Sequence, residues 1–156
     1  MVIHLIRHLK PAPGGVVPGQ LDPPLTVSSV FSSPLERARR TAELYFPEHD
    51  VLYLPELAEV GMGEWAGQSW EEIEGTWPDL AREKLRDWFA VTPPGGEEWS
   101  GFEARVSGAW ERICAAQSPC AVVAHAGVNF VLAKLATGRE LVQQQQYGEV
   151  ITLEIL

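Results

Sequence analysis

Val27-Ser28-Ser29-Val30-Phe31-Ser32-Ser33-Pro34-Leu35-Glu36-Arg37-Ala38 decides the fold. Its first half is short, apolar and β-branched enough to predict a strand over Val27 to Ser32. Ser33 then stands as a helix N-cap, with Pro34 at the first helical position and Glu36 in the first turn. That helix is expected to run to Phe46 and stop before Pro47. The same unit recurs further on. Cys120 to Ala124 reads as a buried strand, and Val128 to Thr137 as a helix ended by Gly138.

Working outward, Val2 to Arg7 reads as a first strand, Val51 to Leu54 as a short one and Val150 to Ile155 as a last one. Leu9 to Pro24 carries too much Pro and Gly for a helix and is expected to be a loop. Ser69 caps a short helix, Pro78 to Ala90 forms another, and Ser100 caps a third that runs to about Ala116. The third shows one apolar face of Phe102, Val106, Ala109, Trp110 and Ile113. Gln143 to Gln146 is read as a solvated turn or strand end. Strands that alternate with helices predict an α/β fold around a mostly parallel sheet.

The 156 residues suit one domain, and nearly half of them are apolar. The formal charge of −9 disfavours nucleic acid or an anionic membrane as partner. With twelve Lys plus Arg in all, an anionic ligand requires cations gathered locally. The start is charged too early for a signal peptide, and no apolar run approaches the ~20 residues of a membrane helix. The expectation is a cytoplasmic protein whose two cysteines, Cys114 and Cys120, are unbonded and buried as small apolar residues.

Ligands of open parallel sheets bind beyond the carboxyl ends of the strands. Arg7-His8 follows the first strand, Ser33 and then Arg37 the second, and His125 the strand Cys120 to Ala124. Two histidines and two arginines should therefore meet where two helix amino ends, with their free N–H groups, also point. This predicts a phosphate pocket. His4 and His8 are four residues apart, a zinc-binding spacing on a helix. On a strand they lie about 13 Å apart, at ~3.3 Å per residue, and cannot share a metal. His4 is read as structural and His49 as exposed in a polar turn. Arg39 and Arg40 belong to a solvated helix face, with Arg40 pairing Glu36.

Five segments, in order, resemble motifs of the histidine phosphatase superfamily, the phosphoglycerate-mutase-like proteins. Leu5-Ile6-Arg7-His8 is similar to its Arg-His-Gly motif, and Asp22-Pro23-Pro24-Leu25-Thr26 to its Asp-x-Pro-Leu-Thr. Phe31 to Ala38 resembles Ser-Ser-Pro-Leu-x-Arg-Ala, followed by Thr41-Ala42. Leu57-Ala58-Glu59 through Gly63-Glu64-Trp65-Ala66-Gly67 resembles Leu-x-Glu…Gly-x-Trp-x-Gly, and Val122 to Val128 the second histidine motif. The resemblance implies a three-layer phosphoglycerate-mutase-like fold over residues 1–156, with 61–100 as lid or pocket wall. It implies that His8 carries the phosphoryl group, that Arg7 and Arg37 hold its oxygens and that His125 stabilises the transition state. Glu59 would act as acid and then base, and no metal or cofactor is called for.

The chain departs from the family in three places. Leu9 stands where the motif has Gly, which predicts a crowded loop and altered or narrowed activity. The Asn that mutases carry is not visible in Lys10 to Val17. The helix between the first two strands is missing or shortened, since only Val27 to Val30 separates two motifs. One sheet face is then under-covered, and a homodimer using it is expected. Asp87-Trp88, Pro93 to Glu97 and the helix Phe102 to Trp110 resemble phosphatases of the cobalamin pathway that act on α-ribazole phosphate. Such a small phosphorylated metabolite is the expected substrate. A non-catalytic phosphate-binding protein on the same fold, and a phosphoglycerate mutase, stay open as alternatives.

Overall fold

The computed structural model describes residues 1–21 and 23–156; Asp22 of the Asp-x-Pro-Leu-Thr resemblance lies outside them. The chain divides into two compact units, Met1–Glu59 with Arg105–Leu156, and Val60–Ala104. The second overlaps the segment 61–100 singled out from the sequence.

In the first unit, strand β1 (Val2–Arg7) leads into a small hairpin of β2 (Pro11–Ala12) and β3 (Gly15–Val16). Strand β4 (Ser29–Ser32), helix α1 (Glu36–Tyr45) and strand β5 (Val51–Tyr53) follow. The second unit holds the short helices α2 (Trp70–Thr76) and α3 (Pro78–Arg86) and the beginning of α4 (Trp99–Cys114). The first unit resumes with β6 (Cys120–Ala124), α5 (Ala126–Thr137) and β7 (Val150–Glu154). The large sheet has the order β5-β4-β6-β1-β7, with β7 antiparallel to β1 and the other pairings parallel.

Both faces of the central strands are buried. Ile6, Val30, Ala121 and Val123 pack against Ala38, Ala42 and Phe46 of α1. Ile3, Leu5, Phe31 and Val122 alternate with them and are also buried, and α5 packs along β1. Strands buried on two faces read as continuous apolar runs, which is why β1 and β6 have the expected bounds.

The predicted gap over the sheet is corrected. Val27 belongs to the α1-side cluster, and Leu21 and Leu25 pack against it, so the connecting segment does the covering of the absent helix. Towards β7 that face carries a polar pair, His4 Nδ1 with Thr152 Oγ1 at 2.8 Å. The stretch read as a plain loop contains the β2–β3 hairpin, turned at Pro13-Gly14. Cys120 is buried but Cys114 is exposed; both are free.

In the second unit Trp65 is the buried centre of a cluster with Ile73 and Ala81, edged by Trp70 and Trp77. Ser69 caps α2 as expected, accepting from the Glu72 N–H at 3.1 Å. Among the described residues no helix is long and apolar enough to cross a membrane.

Candidate active site

The order β4-β6-β1 places three strand ends side by side, so the residues that follow them meet. The His8 N–H donates to the Ala124 carbonyl and the Ser33 N–H to that of Val123. The His8 and His125 rings consequently lie 5.1 Å apart, centre to centre, edge to face. Both imidazoles are buried.

The His8 ring is oriented by main chain. Its Nδ1 is 2.7 Å from the Leu9 carbonyl oxygen, which can only accept. Nδ1 therefore carries the proton, and Nε2 keeps its lone pair. Burial pushes the His8 pKa down to about 4, against the Leu9 hydrogen bond, and the Arg37 and then Arg7 guanidinium groups push it the same way. Burial brings His125 down to about 2, with further contributions from Arg37, His8, Arg7 and Arg105. Two neutral imidazoles thus sit beside cations, a setting for a nucleophile and a hydrogen-bond partner.

Arg7 Nη1 donates to the Gln145 carbonyl at 2.7 Å. Its Nε and the Nδ1 of His125 are buried with no hydrogen-bond partner among the described residues. Buried orphan polar groups of this kind are expensive, and an anion would satisfy them. Arg37 lies in the first turn of α1, half-buried. Thr41, one turn on, donates to the Arg37 carbonyl and accepts from the Leu9 N–H, tying α1 to the loop after His8.

Ser33 is not the cap of α1. The helix begins at Glu36, with Leu35 in the cap position and no side-chain cap. The Ser33 hydroxyl instead accepts from the Leu35 N–H and shares a 2.8 Å hydrogen bond with His125 Nε2. A partner 92 residues away has taken the side chain that the local pattern assigned to the helix.

Glu59 follows β5 and accepts from the Gly127 N–H at 3.0 Å, at the amino end of α5 and two residues beyond His125. A β-carbon on Gly127 would stand 2.4 Å from Glu59 Oε1, so glycine permits the close approach. Arg105 donates to the carbonyls of Glu56, Ala58 and Glu59 and fixes the segment that presents the carboxylate. Arg105 escapes sequence reasoning because it lies on an amphipathic helix, where a lone arginine reads as a solvated flank.

Gln145 was equally hidden, and the expectation of a solvated turn fails for it. It is 2% exposed; its side chain donates to the Leu5 and Glu149 carbonyls and accepts from Asn129. Leu9 does not strain its loop: among the described residues no non-glycine residue has positive φ. Its side chain is buried where Gly19 and Gly148 leave room; β-carbons there would come within 2.8 and 3.2 Å of it. His4 and His49 are away from the histidine pair, bonded to Thr152 and to the Val27 carbonyl. Arg40 pairs Glu36 at 3.6 Å, as expected. Among the described residues no group of three His, Cys, Asp or Glu side chains could hold a metal.

A mostly parallel sheet thus presents a neutral histidine pair and arginines at its carboxyl edge, a setting suited to a phosphate oxyanion. The family model of the histidine phosphatase superfamily, branch 1, matches residues 19–154, and the chain belongs to that family. Arg7 and His8 precede the matched segment, so their place in the site rests on the geometry above. The chain is 36% identical over 89 residues to a bifunctional protein of Mycobacterium tuberculosis, spanning 56% of this chain and 24% of that protein. It is 33% identical over 114 residues to the adenosylcobalamin/α-ribazole phosphatase of Salmonella typhimurium, spanning 69% of this chain and 56% of that one. The chain thus covers about a quarter to about half the length of these relatives. The α-ribazole phosphatase of Shigella flexneri shares the fold, with a TM-score of 0.83 at 23% identity over 100% of this chain and 91% of that one. A Thermus thermophilus protein superimposes with a TM-score of 0.70 at 26% identity, over 99% and 94% of the two chains.

Proposed function

We propose that this protein hydrolyses a small phosphomonoester through a phosphorylated His8, and that α-ribazole 5′-phosphate is its substrate. The observation that carries this is the His8 ring: neutral, held by the Leu9 carbonyl at Nδ1, and 5.1 Å from His125.

His8 Nε2 attacks phosphorus along the line of the leaving oxygen, forming N–P as the P–O bond breaks. Glu59 donates its proton to the departing oxygen. The carboxylate left behind then takes a proton from the water that attacks phosphohistidine, and inorganic phosphate leaves. A general acid of this type contributes ~100-fold to ~10,000-fold in rate. Arg7 and Arg37 fork onto the phosphoryl oxygens, and His125 stabilises the charge that builds on them. Resemblance to α-ribazole phosphatases in sequence and in fold supports the substrate.

Purified wild type and His8→Ala are compared on p-nitrophenyl phosphate and on α-ribazole 5′-phosphate. Wild type should turn over both and form an acid-labile phosphoenzyme; the variant should do neither. Equal background rates in the two proteins would rule the mechanism out, and turnover of the synthetic ester alone would remove the proposed substrate.

A further inference from the structure

Tyr147 is an aromatic ring held at the histidine pair that the mechanism above does not use. It is 48% exposed. The Arg7 guanidinium carbon lies 4.0 Å from the ring centre, and the His8 ring lies 5.5 Å from it at a tilt of 52°.

The ring is held in place by its loop. The Gly148 N–H donates to the carbonyls of Arg7 and His8, and the Arg7 N–H to that of Glu149. The Gln145 side chain binds Leu5 and Glu149 from inside. Gly148 has φ 72°, a conformation that side chains disfavour, and this fixes the turn directly after the tyrosine. Little freedom is therefore left for a ligand to freeze out at this loop, and preorganisation of that kind favours binding.

With a cation beneath the ring and half its surface in solvent, the open part is a stacking platform beside the nucleophile. We propose that Tyr147 is a specificity-determining residue that stacks on the leaving group, selecting phosphomonoesters whose leaving group carries an aromatic ring. This rests on the phosphatase reading and deepens it.

The test compares phenyl phosphate with ethyl phosphate in wild type, Tyr147→Phe and Tyr147→Leu, and measures vanadate affinity in each. Dividing each variant's kcat/KM by that of wild type removes the difference in leaving-group reactivity. Tyr147→Leu should lose about tenfold more on phenyl phosphate than on ethyl phosphate, mostly in KM, as loss of one aromatic stack implies. Tyr147→Phe, which keeps the ring, should recover most of that difference. Equal losses on both esters, matched by weaker vanadate binding, would show that the ring only clamps Arg7 and would overturn the proposal. So would equal activity of Tyr147→Leu and wild type. Wild type inert towards both esters would instead overturn the phosphatase reading, and this one with it.

Discussion

Acid should protonate His8 only far below the range of an ordinary histidine, and this can be measured directly. At pH 5.5 an imidazole of ordinary pKa, about 6.5, is only about one-tenth neutral. His8, titrating at about 4, is almost wholly neutral there. The buried ring thus retains about ten times more of the neutral form than an exposed one would. Replacing Arg37 by Gln removes a positive neighbour, so the His8 pKa should rise, by about one pH unit for a close charge. Imidazole nitrogen shifts followed by NMR from pH 7 to pH 3.5, in unliganded protein, report this without interference from the substrate's own ionisation. The kcat/KM ratio of Arg37→Gln to wild type should then fall further below pH 5 than at pH 7. A His8 resonance titrating near 6.5 in wild type, or one unmoved in Arg37→Gln, would refute the reasoning.

Three further outcomes follow from the same contacts. Glu59→Gln should show a rapid burst of p-nitrophenol and then a slow steady state, because nitrophenolate leaves without a proton whereas phosphohistidine hydrolysis needs the base; stopped-flow absorbance at the nitrophenolate band decides it. Gly127→Ala pushes a methyl group against Glu59 Oε1, so kcat should fall about tenfold or more while vanadate affinity, measured by calorimetry, changes less than about twofold. Thermal stability should drop as pH falls from about 6.5 towards 4, since the unfolded histidines take up protons there while His8 and His125 do not; melting curves of the His8→Asn/His125→Asn double variant should be flatter across that window.

Strands β1 and β6 were legible because a strand buried on two faces leaves an uninterrupted apolar run. His8, His125, Arg7, Arg37 and Glu59 were singled out through their motifs, and the strand-end rule accounts for the meeting of the two histidines. Ser33 was misread because its hydroxyl answers to His125 and not to its own helix. Gln145 is one of four consecutive identical residues, and no local pattern tells which of them turns inward. Tyr147 follows that run in an irregular loop, where no periodicity marks a face. In each case the deciding partner is distant in sequence, supplied by β1 or the β6–α5 junction, and invisible until the sheet order is known.

The hydrogen-bond acceptor that fixes the His8 tautomer is a peptide oxygen and belongs to no side chain. Every amino acid at position 9 brings the same oxygen, so the ring keeps its proton on Nδ1 whatever residue stands there. Exchange of glycine for leucine at that site is therefore a matter of volume, absorbed by two neighbouring glycines. Inheritance can vary the letter at position 9 and leave the electron pair on His8 Nε2 where it was.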